Sequence, residues 1–301
     1  MTDVVLVSGG AAVSPFTTPE RAARSGLAAG NSLTALRQAL LDAGVRVFTA
    51  PAGIGQGAVT EDPGWQGFGD VPTVLPAEWT INAVGSIDDA GASLCRFLGH
   101  LADEYGMTDV QLVGHSMGGL FCRSAVRQLH EGEVPIAPRG LITLGTPWTG
   151  SLLGDYVTGA ITLEDAHGDA FTTEVLTRSA QFARDNSQGA ADEVAIGYLT
   201  GVEGWNARQA GVLDGIPVTV VAGDRFAEFA EPESLWPHDG LVATRSASAV
   251  DVPEGVLPHV DRVLRPDVHS IFFADAAGLD WETALTWDPV VRDLVVRAAT
   301  S

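Results

Sequence analysis

The sequence predicts an α/β protein built on a mostly parallel sheet with helices on both faces. Three observations point there. Residues 110–127 read as strand, sharp turn and amphipathic helix. Short β-branched runs alternate with helical stretches over most of the chain, the pattern of a parallel sheet crossed by helices. The 301 residues are 46% apolar and 18% charged, enough to bury a full core in a single domain spanning 1–301.

Residues 4–7 (Val-Val-Leu-Val) form a first buried strand ending in Ser8-Gly9-Gly10-Ala11. A helix is expected over 32–43, with Asn31-Ser32 supplying capping oxygens and Gly44 stopping it. Residues 45–50 are a second strand. The stretch 51–80, rich in Gly, Pro and Trp, reads as a long irregular surface segment and a candidate substrate-facing wall. Apolar spacing at Ile87, Ala90, Leu94, Phe97, Leu98 and Leu101 predicts a helix over 87–104. Strands follow at 110–114, 141–144 and 218–221. Between them, 149–213 lacks strand signals, is loosely helical, and reads as a cap or lid inserted above the carboxyl edge of the sheet.

Composition removes several functions. A formal charge of −21 opposes nucleic acid and anionic membranes. All 17 basic residues are arginine, which excludes Schiff-base chemistry, pyridoxal-phosphate attachment, Ser-Lys dyads and the phosphate-loop lysine. Two cysteines, Cys95 and Cys122, sit in apolar helical stretches and are expected to be buried thiols rather than a disulfide or metal pair. No signal peptide and no membrane-spanning run is visible, so a cytoplasmic location is the default, with a processed secreted form as the alternative.

The chemistry centres on Gly114-His115-Ser116-Met117-Gly118. A G-x-S-x-G between an apolar strand and a helix puts the serine on a tight turn, clear of the helix and above its N-terminus. Ser116 is the candidate nucleophile. A serine hydroxyl needs a base, itself oriented by an acid. Of seven histidines, His115 lies inside the turn with its side chain expected to point away from that of Ser116. His100 and His130 lie on helices, His167 in the insertion, and His238 and His259 in proline-bearing loops. His269, in a late loop that can cross the top of the sheet, is the preferred base, with His259 next. Asp239, followed by glycine and an apolar pair, is preferred as acid over Asp224, which has Arg225 beside it. The oxyanion hole needs two backbone N–H groups, expected at Met117 and at Gly10 or Ala11.

With these residues assembled, the chain resembles the α/β-hydrolase superfamily, in its bacterial lipase and esterase branch. The likeness rests on G-H-S-M-G-G-L at 114–120, L-G-T-P-W-T-G-S at 144–151 and D-G-L-V at 239–242. It implies an α/β-hydrolase fold with a Ser116, Asp239 and His269 triad and a cap at 149–213. Such lipases usually carry His-Gly after the first strand, where Ser8-Gly9 stands here. Many hold a structural calcium through an aspartate just after the triad histidine, where Ser270-Ile271-Phe272 follows, so no calcium and no other cofactor is expected. The resulting reading is a serine carboxylic-ester hydrolase acting on a small or lipid-like ester, with Trp65, Phe68, Trp79 and Trp148 either lining an apolar pocket or, equally for each, anchoring core and loops. Thioesterase, lactonase, amidase or acyltransferase activity on the same triad, and a non-catalytic scaffold, are the alternatives.

Overall fold

The computed structural model describes residues 2–11, 32–60, 71, 73–132, 134–186 and 188–301. Six strands form one sheet: β1 (Asp3–Val7), β2 (Val47–Thr49), β3 (Asp109–His115), β4 (Ala137–Leu144), β5 (Val218–Gly223) and β6 (Val260–Arg265). Their spatial order is β2-β1-β3-β4-β5-β6, and every pairing is parallel. The chain steps from β1 outward to β2, then returns to lay β3 on the other side of β1. Loops leaving β1 and β3 therefore diverge over the carboxyl edge, and that switch point is where an open α/β sheet forms its crevice.

Alternation along the strands feeds two cores. Val5, Val7 and Leu112 pack with helices α2 (Ile87–Tyr105) and α3 (Gly118–Glu131). Val4, Leu6 and Val113 point to the other face, against α1 (Thr34–Asp42) and the C-terminal helix (Pro289–Thr300). The helix expected over 87–104 is α2, capped by Ser86, which accepts from the Asp89 N–H at 3.2 Å, and ended by Gly106 in the left-handed conformation. The helix expected from Ser32 begins later, with Leu33 as its N-cap residue, and Asn31 lies outside the described residues.

The 149–213 segment is helical, with α4 (Leu152–Thr158), α5 (Ala170–Asn186), α6 (Ala190–Glu193) and α7 (Ile196–Leu199). The structure adds β6, which sequence patterning did not reveal. It is an edge strand with Asp261, Arg262 and Arg265 on it, and charge on an edge discourages further pairing while erasing the apolar signal. Three helices follow 221 in chain order: α8 (Thr244–Ala247), α9 (Ile271–Ala277) and α10 (Pro289–Thr300). Cys122 is buried as expected, whereas Cys95 is only half-buried, and the two are not bonded. Among the described residues, no helix is long and apolar enough to cross a membrane.

Candidate active site

Ser116 sits between β3 and α3 with φ of +56°, a left-handed conformation that L-residues avoid. Three hydrogen bonds hold it there: its N–H donates to the Leu144 carbonyl at 2.9 Å, and its carbonyl accepts from the Thr146 hydroxyl at 2.8 Å and the Gly119 N–H at 3.2 Å. The turn also needs Gly118, because a Cβ at that position would collide with the Val7 carbonyl oxygen. Gly118 thus lets β1 and the start of α3 approach each other, and Gly114 does the same for β3 and α3, where a Cβ would stand 2.5 Å from the Gly119 nitrogen.

Asp239 is fully buried in the turn after β5. Its Oδ1 accepts the N–H groups of Leu241 (2.9 Å) and Val242 (2.8 Å). Its Oδ2 accepts from His269 Nδ1 at 2.7 Å, while the His269 N–H donates to the Asp239 carbonyl at 2.7 Å. That arrangement puts the imidazole proton on Nδ1 and leaves the Nε2 lone pair available, the tautomer a general base requires. Nε2 is buried and makes no hydrogen bond, so the Ser116–His269 contact is not closed in this structure. Gly145, from the G-T-P segment, has φ of +57° and lies against this pair. A Cβ there would stand 2.9 Å from both Asp239 Oδ2 and His269 Nδ1.

Of the two candidates for the second oxyanion donor, Ala11 is engaged, its N–H donating to the Ala83 carbonyl at 3.2 Å. The N–H groups of Gly10 and Met117 have no partner in the described backbone network outside helices and strands, and the two residues are adjacent. Ser116, Gly10, Met117 and His269 all line one cavity of about 530 Å³. Phe171, Val175 and Phe182 from α5, Phe272 and Phe273 from α9, and Leu153 from α4 supply apolar lining, beside Glu174, Arg178 and Ser179 on the same α5. The α5 contributions recur at helical spacing, so one stripe of that helix faces the cavity.

A family model described as "Putative serine esterase (DUF676)" matches residues 80–188, which run from the start of α2 through the Ser116 turn to the end of α5. No curated protein matches the chain by sequence. Among solved structures, the chain is similar to the Bacillus licheniformis lipase BlEst2 in mature form. The two are 15% identical over 99% of this chain and 91% of that one, with a TM-score of 0.53. The chain has the α/β-hydrolase fold. Weaker likenesses are a gene product of Listeria innocua (14% identity, 98% and 92% coverage, TM-score 0.48) and an esterase from Thermogutta terrifontis (17%, 100% and 91%, 0.45). The protein is a serine hydrolase of this fold.

Several expectations need correction in this α/β-hydrolase. None of the described residues of 51–80 lines the cavity; its wall comes from α4, α5, α6 and α9 instead. Trp148 is fully buried, with the Arg123 guanidinium 4.3 Å from its ring centre, and Trp79 stacks on His100 at 3.9 Å, so both are packing anchors. Trp65 and Phe68 lie outside the described residues. Asp224 makes no hydrogen bond to His269, and its N–H is bound to the Arg265 carbonyl. His259 does not line the cavity; its carbonyl accepts the N–H of Val218.

Two buried histidines carry roles the sequence did not disclose. His115, expected to point away, donates from Nε2 to the His269 carbonyl at 2.8 Å, its ring 4.8 Å from that of His269. Burial, reinforced by repulsion from His269, lowers its pKa to about 3, so it stays neutral. His238, next to Asp239, accepts the Gly240 N–H on Nδ1 at 3.0 Å, which leaves Nε2 to donate to Thr172 on α5 at 3.1 Å. Burial lowers its pKa to about 4. Neither bond links neighbours in sequence beyond Gly240, which is why no local motif announced them. Among the described residues, no group of three or more His, Cys, Asp or Glu side chains is placed to hold a metal ion.

Proposed function

We propose that the protein hydrolyses carboxylic esters of apolar acids through an acyl-enzyme on Ser116. The observation that carries this reading is the 2.7 Å bond from His269 Nδ1 to buried Asp239, which leaves Nε2 unpartnered in the cavity that Ser116 enters. His269 Nε2 takes the Ser116 proton as Oγ bonds to the carbonyl carbon. Asp239 stabilises the imidazolium, and the N–H groups of Gly10 and Met117 donate to the developing oxyanion. His269 then protonates the departing alcohol as the ester bond breaks. Water, deprotonated by the same nitrogen, attacks the acyl-serine and releases the acid, restoring Ser116.

Phe171, Val175 and Phe182 of α5 and the phenylalanines of α9 favour a hydrocarbon acyl group, and the helical 149–213 segment serves as a cap over it. With a net charge of −21, adsorption to anionic interfaces is opposed, which favours dispersed esters. The family match to a serine esterase description supports the ester class. The test is hydrolysis of p-nitrophenyl esters from acetyl to palmitoyl. Ser116→Ala and Asp239→Asn should each lower kcat by roughly 10⁴-fold or more, the second by favouring the wrong imidazole tautomer. A wild-type protein inactive across the whole series would reject the ester reading.

A further inference from the structure

We infer that His115 is a positioning residue that sets the separation between Ser116 and His269. The argument starts from what holds His269. Its hydrogen bonds among the described residues are three: its N–H to the Asp239 carbonyl, its Nδ1 to Asp239 Oδ2, and its carbonyl from His115 Nε2. The first two fix His269 only relative to Asp239, so acid and base form a unit that keeps its internal geometry even when it shifts as a body. The third alone reaches the segment carrying Ser116, and it does so from the residue covalently joined to it. Residues 154 apart in sequence are tied at 2.8 Å, one peptide unit from the attacking oxygen's own backbone.

The chemistry of that bond demands a neutral imidazole with its proton on Nε2, because a carbonyl only accepts. His115 is 5% exposed and its ring lies 4.8 Å from that of His269. A cation there would repel the imidazolium that His269 becomes in each turnover. Burial, which holds His115 neutral, removes that repulsion, whereas a surface histidine at this spacing would impose it. An aromatic hydrocarbon would fill the same space but leave the carbonyl without a donor. Asparagine is too short to reach it, and glutamine places an amide N–H about where Nε2 stands.

The experiment compares wild type, His115→Phe and His115→Gln for kcat and KM on p-nitrophenyl butanoate, with Tm measured on each. A shift of about 1 Å between nucleophile and base lowers turnover by on the order of 10²-fold while leaving substrate contacts intact. His115→Phe should therefore lose roughly 10- to 100-fold in kcat with KM within about twofold, and His115→Gln should regain most of the loss. Equal kcat in His115→Phe and wild type overturns the inference, as does a glutamine variant as slow as the phenylalanine one at wild-type Tm. If His115→Phe does not fold, His115→Asn replaces it, and wild-type kcat there is equally fatal. The inference rests on the Ser116–His269 reading, which Ser116→Ala reports separately. Activity surviving in Ser116→Ala rejects both, whereas activity lost there but unchanged in His115→Phe rejects only the positioning role.

Discussion

Replacing His238 with glutamine should flatten part of the dependence of stability on pH. The ring is fully buried, with Nδ1 accepting from Gly240 and Nε2 donating to Thr172. Adding a proton to Nδ1 would set one N–H against another, and burial moves the pKa from 6.5 to about 4. In the unfolded chain the same ring titrates near 6.5. Between those values the unfolded state binds more protons than the folded one. The stability associated with the neutral ring is thus complete above about 6.5 and is lost as pH falls toward 4. Between pH 7.5 and 5 the loss is roughly 2 kcal/mol, a large share of the 5–15 kcal/mol typical of a folded domain.

The total curve is not a clean readout, because other buried groups act on it. His115, lowered to about 3, adds a loss of the same sign. Asp155, raised to about 7 by burial, has the opposite effect: it keeps its proton in the folded state, so its contribution is lost as pH rises toward 7. Urea unfolding of wild type and His238→Gln at pH 7.5 and 5.0 separates these, since only the difference between the two proteins concerns His238. That difference should move by about 2 kcal/mol in favour of the variant at pH 5.0, whatever offset the lost packing causes at pH 7.5. Parallel behaviour of the two proteins, within about 0.5 kcal/mol, would refute the buried neutral histidine.

Gly145→Ala should place a methyl 2.9 Å from both partners of the Asp239–His269 bond, at a φ of +57° that itself costs alanine about 1 kcal/mol. Its kcat should fall at least tenfold and its Tm by a few degrees in ester assay and thermal unfolding, and wild-type turnover would show that the pair has room to move. Phe182→Trp adds bulk to the α5 wall of the cavity and should shift the best p-nitrophenyl ester to a shorter chain, with KM for the longest good substrate rising roughly tenfold. An unchanged chain-length profile would mean that the acyl group lies away from α5.

Local pattern was sufficient wherever one element could satisfy itself. Apolar spacing identified α2 nearly to the residue. The glycines around Ser116 announced a turn because Gly118 permits the approach of β1 to α3 and Gly114 that of β3 to α3. Chain order and the D-G-L-V turn singled out Asp239 and His269, which the structure brings to hydrogen-bond distance, with two N–H groups of the turn on the carboxylate. β6 was missed because an exposed edge strand has no need of an apolar pattern.

Chain chemistry by itself thus determined the nucleophile turn, the parallel sheet and the short candidate set for acid and base, since these depend on bond geometry and on burial within a few residues. Tertiary structure alone shows that His269 bonds Asp239 and not Asp224, that the Ala11 N–H is engaged by Ala83, and which aromatics face the cavity. It also decided that His115 and His238 are buried neutral donors. Those outcomes depend on which distant groups meet across the carboxyl edge of the sheet, and a histidine has the same sequence signature whether its nearest acceptor is water or a carbonyl 154 residues away.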